Sequence, residues 1–382
     1  MTVRVPVRPE MLAWARERSR LDPEELYARF KSLRAWEEGT KQPTLKQLGD
    51  FAKATHAPVG YLFLIEPPDE PLPVPDFRTI GDVEIGHASP NLLDTVYQCQ
   101  ERQEWYRNYA RLHRESPLPF VRSLTAGTDV VDAATQMREV LAFAPEERGS
   151  SWSQALRMLA DQADNIGILA MVSGVVGSNT HRKLDPQEFR GFALADDLAP
   201  VVFVNGSDTK AAQIFTLAHE LVHIWLGQSA VSDADMVRTA TNDVERWCNQ
   251  VAAEILLPIA ELQGYELNRE GITAELDKLA RRFKVSTLVA LRRLYDAKYL
   301  TTAEYRDEYS AELARIMALV EEGAGSGGNF YNTQPVRVSK RFARALVEST
   351  LEGHTLRREA FQMLGFKKVS TFDELAARLG VA

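Results

Sequence analysis

Residues 207–227, SDTKAAQIFTLAHELVHIWLG, constrain this chain more than any other stretch. Wound as a helix, Ile214, Phe215, Leu217, Leu221, Val222 and Trp225 point in nearly every direction. A helix that is apolar on all sides must be buried. Between Ala211 and Leu226 its only ionisable residues are His219, Glu220 and His223. Buried ionisable groups are costly unless they are paired or bound to a metal. The spacing is H-E-x-x-H. Four residues make just over one helical turn, so both imidazoles project toward one point, which is bidentate metal geometry. Glu220 lies beside them, where a carboxylate can take a proton from an attacking water. The competing reading is two core histidines beside a chance glutamate; burial and spacing together weigh against it. Ser207 or Asp208 is the expected N-cap of this helix, and Gly227 its expected end.

A zinc site needs a third protein ligand. The segment 244–258, VERWCNQVAAEILLP, offers Glu245 and Glu254. Nine residues at about 100° each put them on opposite faces of a helix. Glu254 aligns with Arg246 and Gln250, a polar stripe expected to be solvated. Glu245 aligns with Cys248, Asn249, Ala252 and Leu256, the inward stripe, and is the expected ligand. Asp233, Asp235 and Asp243 are weaker candidates because they fall in an expected loop. Two histidines and a carboxylate with one open position make a catalytic zinc arrangement rather than a closed structural one. Mn²⁺ is an acceptable substitute, since a carboxylate ligand tolerates harder ions.

The bulk numbers narrow the class. With 382 residues, two or three domains are expected. A net charge of −8 argues against a general nucleic-acid coat, though not against local basic patches. Cys99 and Cys248 stand far apart and without metal-knuckle spacing, which fits a cytoplasmic location. The N-terminus has no apolar signal core, and the longest apolar run, 166–177, is too short to span a bilayer.

In chain order, residues 1–66 read as several short helices, with Asp22 capping PEELYARF and Pro23 at its first position. Residues 67–89 open as a proline-rich linker; 66–77 alone hold five prolines. A long helix is expected over about 90–114. Two further helices are expected, capped by Asp129 and by Ser151 or Ser153. Around 166–174, 189–196 and 199–205 the period changes to short apolar runs, which read as strands of a small sheet. Residues 276–300 have helix-turn-helix form. From Lys278 to Arg293 they carry six basic residues and no acidic one. This is either a nucleic-acid or acidic-partner surface, or a helical support packed under the metal site; the support is favoured. Residues 323–329 read as a glycine-rich linker, and 330–382 as three small helices with 9 Lys+Arg against 5 Asp+Glu.

The run from FRGFALADD through AHELVHIWLG, followed by VERWCNQVAAEILLP, resembles the ImmA/IrrE family of bacterial metallo-endopeptidases over about residues 160–300. WEEGTKQPT (36–44) and APVGYLF (57–63) resemble the second half of an Xre-type helix-turn-helix domain, as in the long members of that family. The segment ARFKSLRA lacks the turn and full recognition helix of that domain, and residues 1–66 carry only 11 Lys+Arg against 9 Asp+Glu. The resemblance implies an α+β, mostly helical chain. Its core would be zincin-like, of the gluzincin kind, with a small sheet and the H-E-x-x-H helix, flanked by helical HTH-like modules. The expected segments are 1–66, 67–89, 90–262 (peptidase), 263–322, 323–329 and 330–382.

The resemblance carries His219, His223 and Glu245 over as Zn²⁺ ligands and Glu220 as general base. It implies a protein substrate, such as a repressor encoded nearby, cut in response to stress, phage or mobile-element signals. The rival is an antitoxin or transcriptional regulator with a non-catalytic peptidase fold, binding a toxin encoded nearby. The intact Glu220 discriminates, since a structural site does not need it. DNA contact is expected, if anywhere, through 278–293 or the N-terminal domain, and no membrane contact is expected. His181, Tyr265 and Tyr331 are candidates for stabilising an oxyanion.

Overall fold

The computed structural model describes residues 3–76, 88–145, 148–232, 243–322 and 337–381. The chain divides into two compact units, one made of residues 1–73 and 85–96, the other of 74–84 and 97–382.

The first unit holds α1 (Pro9–Ser19), α2 (Pro23–Arg29), α3 (Leu33–Glu37) and α4 (Leu45–Thr55). Asp22 caps α2 as expected, accepting from Glu24 N, and Pro23 opens the helix. Thr44 and Gln47 form a capping box that starts α4. The core gathers Met11, Leu12, Leu33, Trp36, Leu48 and Phe51. Phe30 and Trp36 both meet Phe51 edge-on. The helix α3 is only five residues long, in keeping with the shortened segment seen in the sequence.

Next come α5 (Pro90–Leu112), α6 (Val130–Leu141) and α7 (Trp152–Asn165). Asp129 and Ser151 cap α6 and α7. The sheet has strands β1 (Leu169–Ser173), β2 (Gly191–Leu194), β3 (Val201–Asn205) and β4 (Ala230–Ser232), in the order β1-β3-β2-β4. β1 and β3 run parallel; the other pairings are antiparallel. β1 to β3 were expected from the apolar runs. β4 was not, because three residues are too few to show a period.

The metal-motif helix α8 (Lys210–Leu226) packs on this sheet, and α9 (Asp243–Leu256) packs against α8 and α6. Every residue of α8 from Gln213 to Trp225 is buried, as its apolar surface demands. Its N-cap is Thr209, whose Oγ1 accepts from Ala212 N, and not Ser207 or Asp208. The expected caps are otherwise engaged. Asp208 Oδ1 accepts from Thr209 N at 2.7 Å, and Ser207 Oγ donates to Gly174 O. Gly227 ends the helix at φ 68°.

α10 (Ile272–Phe283) and α11 (Thr287–Asp296) share one apolar core with α6 to α9 and the sheet. α12 is Thr302–Glu322. Val285 and Ser286 link α10 to α11: Ser286 caps α11, and Val289 and Leu291 face inward. The basic run is largely neutralised. Lys278 pairs with Glu275, Arg282 with Glu261, and Arg292 with Asp296. Arg293 is buried against Glu254. The tail forms the three expected helices, α13 (Lys340–Leu351), α14 (Arg357–Leu364) and α15 (Val369–Leu379). α13 packs on α7 and β1. The expected linker at 323–329 lies outside the described residues. Among those described, no helix is long and apolar enough to cross a membrane.

Candidate metal centre

α8 and α9 pack side by side and bring three side chains together. His219 and His223 lie one turn apart on α8, and Glu245 sits in the first turn of α9. Their Nε2 atoms are 3.1 Å apart, and each lies 3.1 Å from one oxygen of Glu245. A tetrahedral ion with bonds of ~2.0–2.1 Å separates its ligand atoms by roughly 3.3 Å. The observed spacing is close to that value. Among the described residues Glu245 Oε1 has no hydrogen-bond partner, although His223 Nε2 is 3.1 Å away. The three donors are thus aimed at a common point. Both histidines are fully buried and Glu245 is nearly so. The residues fit a divalent metal ion.

Burial shapes the electrostatics. It disfavours the charged form of both imidazoles, but their neighbours outweigh it. Glu245 raises His219, and Cys248 together with Glu245 pushes His223 up to about 10. Burial also opposes ionisation of Glu245, yet the two imidazoles hold it well below the usual carboxylate range. Such a charge-rich pocket is one in which a cation replaces protons. Asn249 stands against His219 and Cys248 against His223, both from the same face of α9 as Glu245.

Glu220 is fully buried, and burial pushes its carboxyl up to about 7. Ser232 Oγ, on β4, donates a hydrogen bond to Oε1. Oε2 has no partner among the described residues. Gly191 of β2 pairs with Ser232 and leaves room for this carboxylate. A Cβ at Gly191 would lie 2.9 Å from Glu220 Oε1 and 2.6 Å from Thr216 Cγ2. Ser232 and Gly191 carry no signal in the sequence, because only the sheet register places them here.

The helical-face argument set Glu245 inward, where it joins the two histidines, and misplaced Glu254. Glu254 is not solvated. It is buried, ion-paired with Arg293, and accepts the backbone N–H of Ile259. Arg246 and Gln250 on the same stripe are exposed, but α11 covers the last turn of α9. Asp243 is an exposed partner of Arg246. Asp233, Asp235 and Tyr331 lie outside the described residues. His181 lies on an exposed turn, and Tyr265 donates its hydroxyl to Glu275. Among the described residues, neither is bonded to the triad.

Residues 163–295 match the family model Peptidase_M78, an IrrE N-terminal-like domain. Residues 338–378 match a family described as a domain of unknown function (DUF8813). No curated protein matches the chain. Strand, H-E-x-x-H helix and the helix that carries Glu245 fall within the first match, and residues 163–295 therefore belong to the ImmA/IrrE metallopeptidase family.

Proposed function

We propose that this chain is a zinc-dependent endopeptidase that cuts one specific protein partner, such as a repressor or toxin encoded nearby, in a bacterial regulatory system. The carrying observation is the unpartnered Oε2 of Glu220, buried beside the His219–His223–Glu245 cluster. A structural metal site has no use for a second carboxylate whose free oxygen meets no partner among the described residues.

His219, His223 and Glu245 would hold the ion. When bound, it supplies Lewis acidity toward a carbonyl and acidifies water. The remaining chemistry belongs to the chain. Glu220 Oε2 accepts the proton of the attacking water and returns it to the leaving amine. A carboxyl raised to about 7 by burial is matched to both halves of that exchange. Ser232 fixes the other oxygen, so the base does not turn away. The apolar walls of α8 keep bulk water from the carboxylate. The two buried cysteines are free, in keeping with action in a reducing cytoplasm.

The test is co-expression of the adjacent gene products with wild type and with Glu220→Gln, read by intact mass. Cleavage by wild type alone supports a peptidase, with a rate loss of about 10²–10⁴-fold on removing the base. If no partner is cut and Glu220→Gln protects cells from an adjacent toxin as well as wild type does, the chain is an antitoxin with a peptidase fold.

A further inference from the structure

Among the described residues the sheet ends at β4, whose outer edge lies beside the reactive carboxylate. Ser232 of β4 holds Glu220, and Val231 is its neighbour along the strand. Backbone groups alternate sides along a strand. Ser232 O meets Arg190 N on the β2 side, whereas Val231 N points to the open side. That outward N–H is already taken. It donates to Pro75 O at 2.9 Å, and Asp76 bridges Val231 in parallel register. Val74, one residue before, is buried. The chain thus lays a short extended piece of itself along the edge, one residue from the side chain that holds Glu220.

An unpaired sheet edge is where an extended peptide gains main-chain hydrogen bonds. We infer that Val74–Asp76 is an autoinhibitory strap. It occupies the edge on which an extended peptide substrate is held beside Glu220, and it must lift for that peptide to enter. This inference rests on the peptidase reading of the site.

The composition suits a contact that seats and releases. Pro73 and Pro75 flank Val74. Proline has no N–H, so Pro75 can accept from Val231 but cannot donate to the strand. A proline-free peptide at the same place can do both, and so displaces the strap. Proline-rich chain also stays extended when released, which keeps the segment ready to return.

The test uses the full chain in a Glu220→Gln background, so that no readout depends on hydrolysis. One readout is hydrogen exchange at Val231. The other is binding of a fluorescent peptide of residues 68–76, PDEPLPVPD, supplied in trans. Val74→Asp removes the buried anchor, Val74→Ser does so more mildly in case the first does not fold, and Val74→Ile keeps it. Lifting the strap should speed exchange at Val231 by about tenfold and tighten peptide binding by about tenfold, because affinity scales with the fraction of chains whose edge is open. Val74→Ile should behave as wild type. Unchanged exchange in a folded Val74→Ser variant overturns the strap, as does a peptide that binds all variants equally or none. Failure of the peptidase reading leaves a different mark: no partner is cut by wild type, whatever the exchange data show.

Discussion

Ser232 Oγ donates to Glu220 Oε1 across the gap between β4 and α8. Among the described residues this is the one bond that orients the carboxylate beside the His219–His223–Glu245 cluster, since its other oxygen is unpartnered. Losing a hydrogen bond to a buried charged group costs about 1.5–3 kcal/mol. Ser232→Ala should therefore keep the metal and slow cleavage of the partner by about 10–100-fold, with the larger loss in kcat than in 1/KM. Ser232→Thr should restore most of the rate. A Ser232→Ala enzyme as fast as wild type would show that the bond plays no part in orienting the base.

Glu245 and Glu254 lie on the same helix and should respond oppositely. Glu245→Ala removes one of the three candidate ligands, so elemental analysis of protein prepared without chelators should find little metal. Glu254→Ala should keep the metal but leave the buried Arg293, among the described residues, with only its longer ion pair to Asp296, at 3.4 Å. Breaking a buried pair from one side costs about 3–5 kcal/mol, which denaturant unfolding will measure. Full metal in Glu245→Ala would mean that another group is the third ligand.

The metal must compete with protons. The metal-free site holds His223 up to about 10 and His219 above its ordinary value. Protons are therefore bound below those values and must leave when the ion enters. Affinity should rise with pH across the neutral range, and at least one proton should be released per ion. Titration calorimetry in buffers of different ionisation heat, at about pH 6 and about pH 8, reads both quantities. A pH-independent affinity would contradict the arrangement.

Asp164 ties the tail to the peptidase core. Its carboxylate accepts from Ala170 N, Ser339 Oγ and Lys340 N, at 3.1, 2.6 and 2.7 Å. The last two start α13, so an anion sits at a helix N-terminus. Asp164→Ala strands these buried donors, at about 1–3 kcal/mol each. Limited proteolysis should then release the 338–381 helices sooner, while metal content stays unchanged. Equal protease resistance would place the attachment in apolar packing alone.

Much of the site was legible because helical geometry is local. The all-round apolar surface of α8 required burial, and a four-residue spacing placed His219 and His223 on one face. The same periodicity set Glu245 inward. It failed at Glu254 because the partner, Arg293, comes from a helix 39 residues away. No period within α9 can announce a neighbour that covers only its last turn. Three-residue β4, the Gly191–Ser232 register and the seating of Pro75 on Val231 were likewise invisible. Strand pairing is a contact between distant segments, decided by which edges meet when the core closes. The sequence by itself determined which side chains gather, His219, His223 and Glu245 with Glu220 beside them. The tertiary structure decided what holds the base in place and which part of the chain lies on the edge beside it.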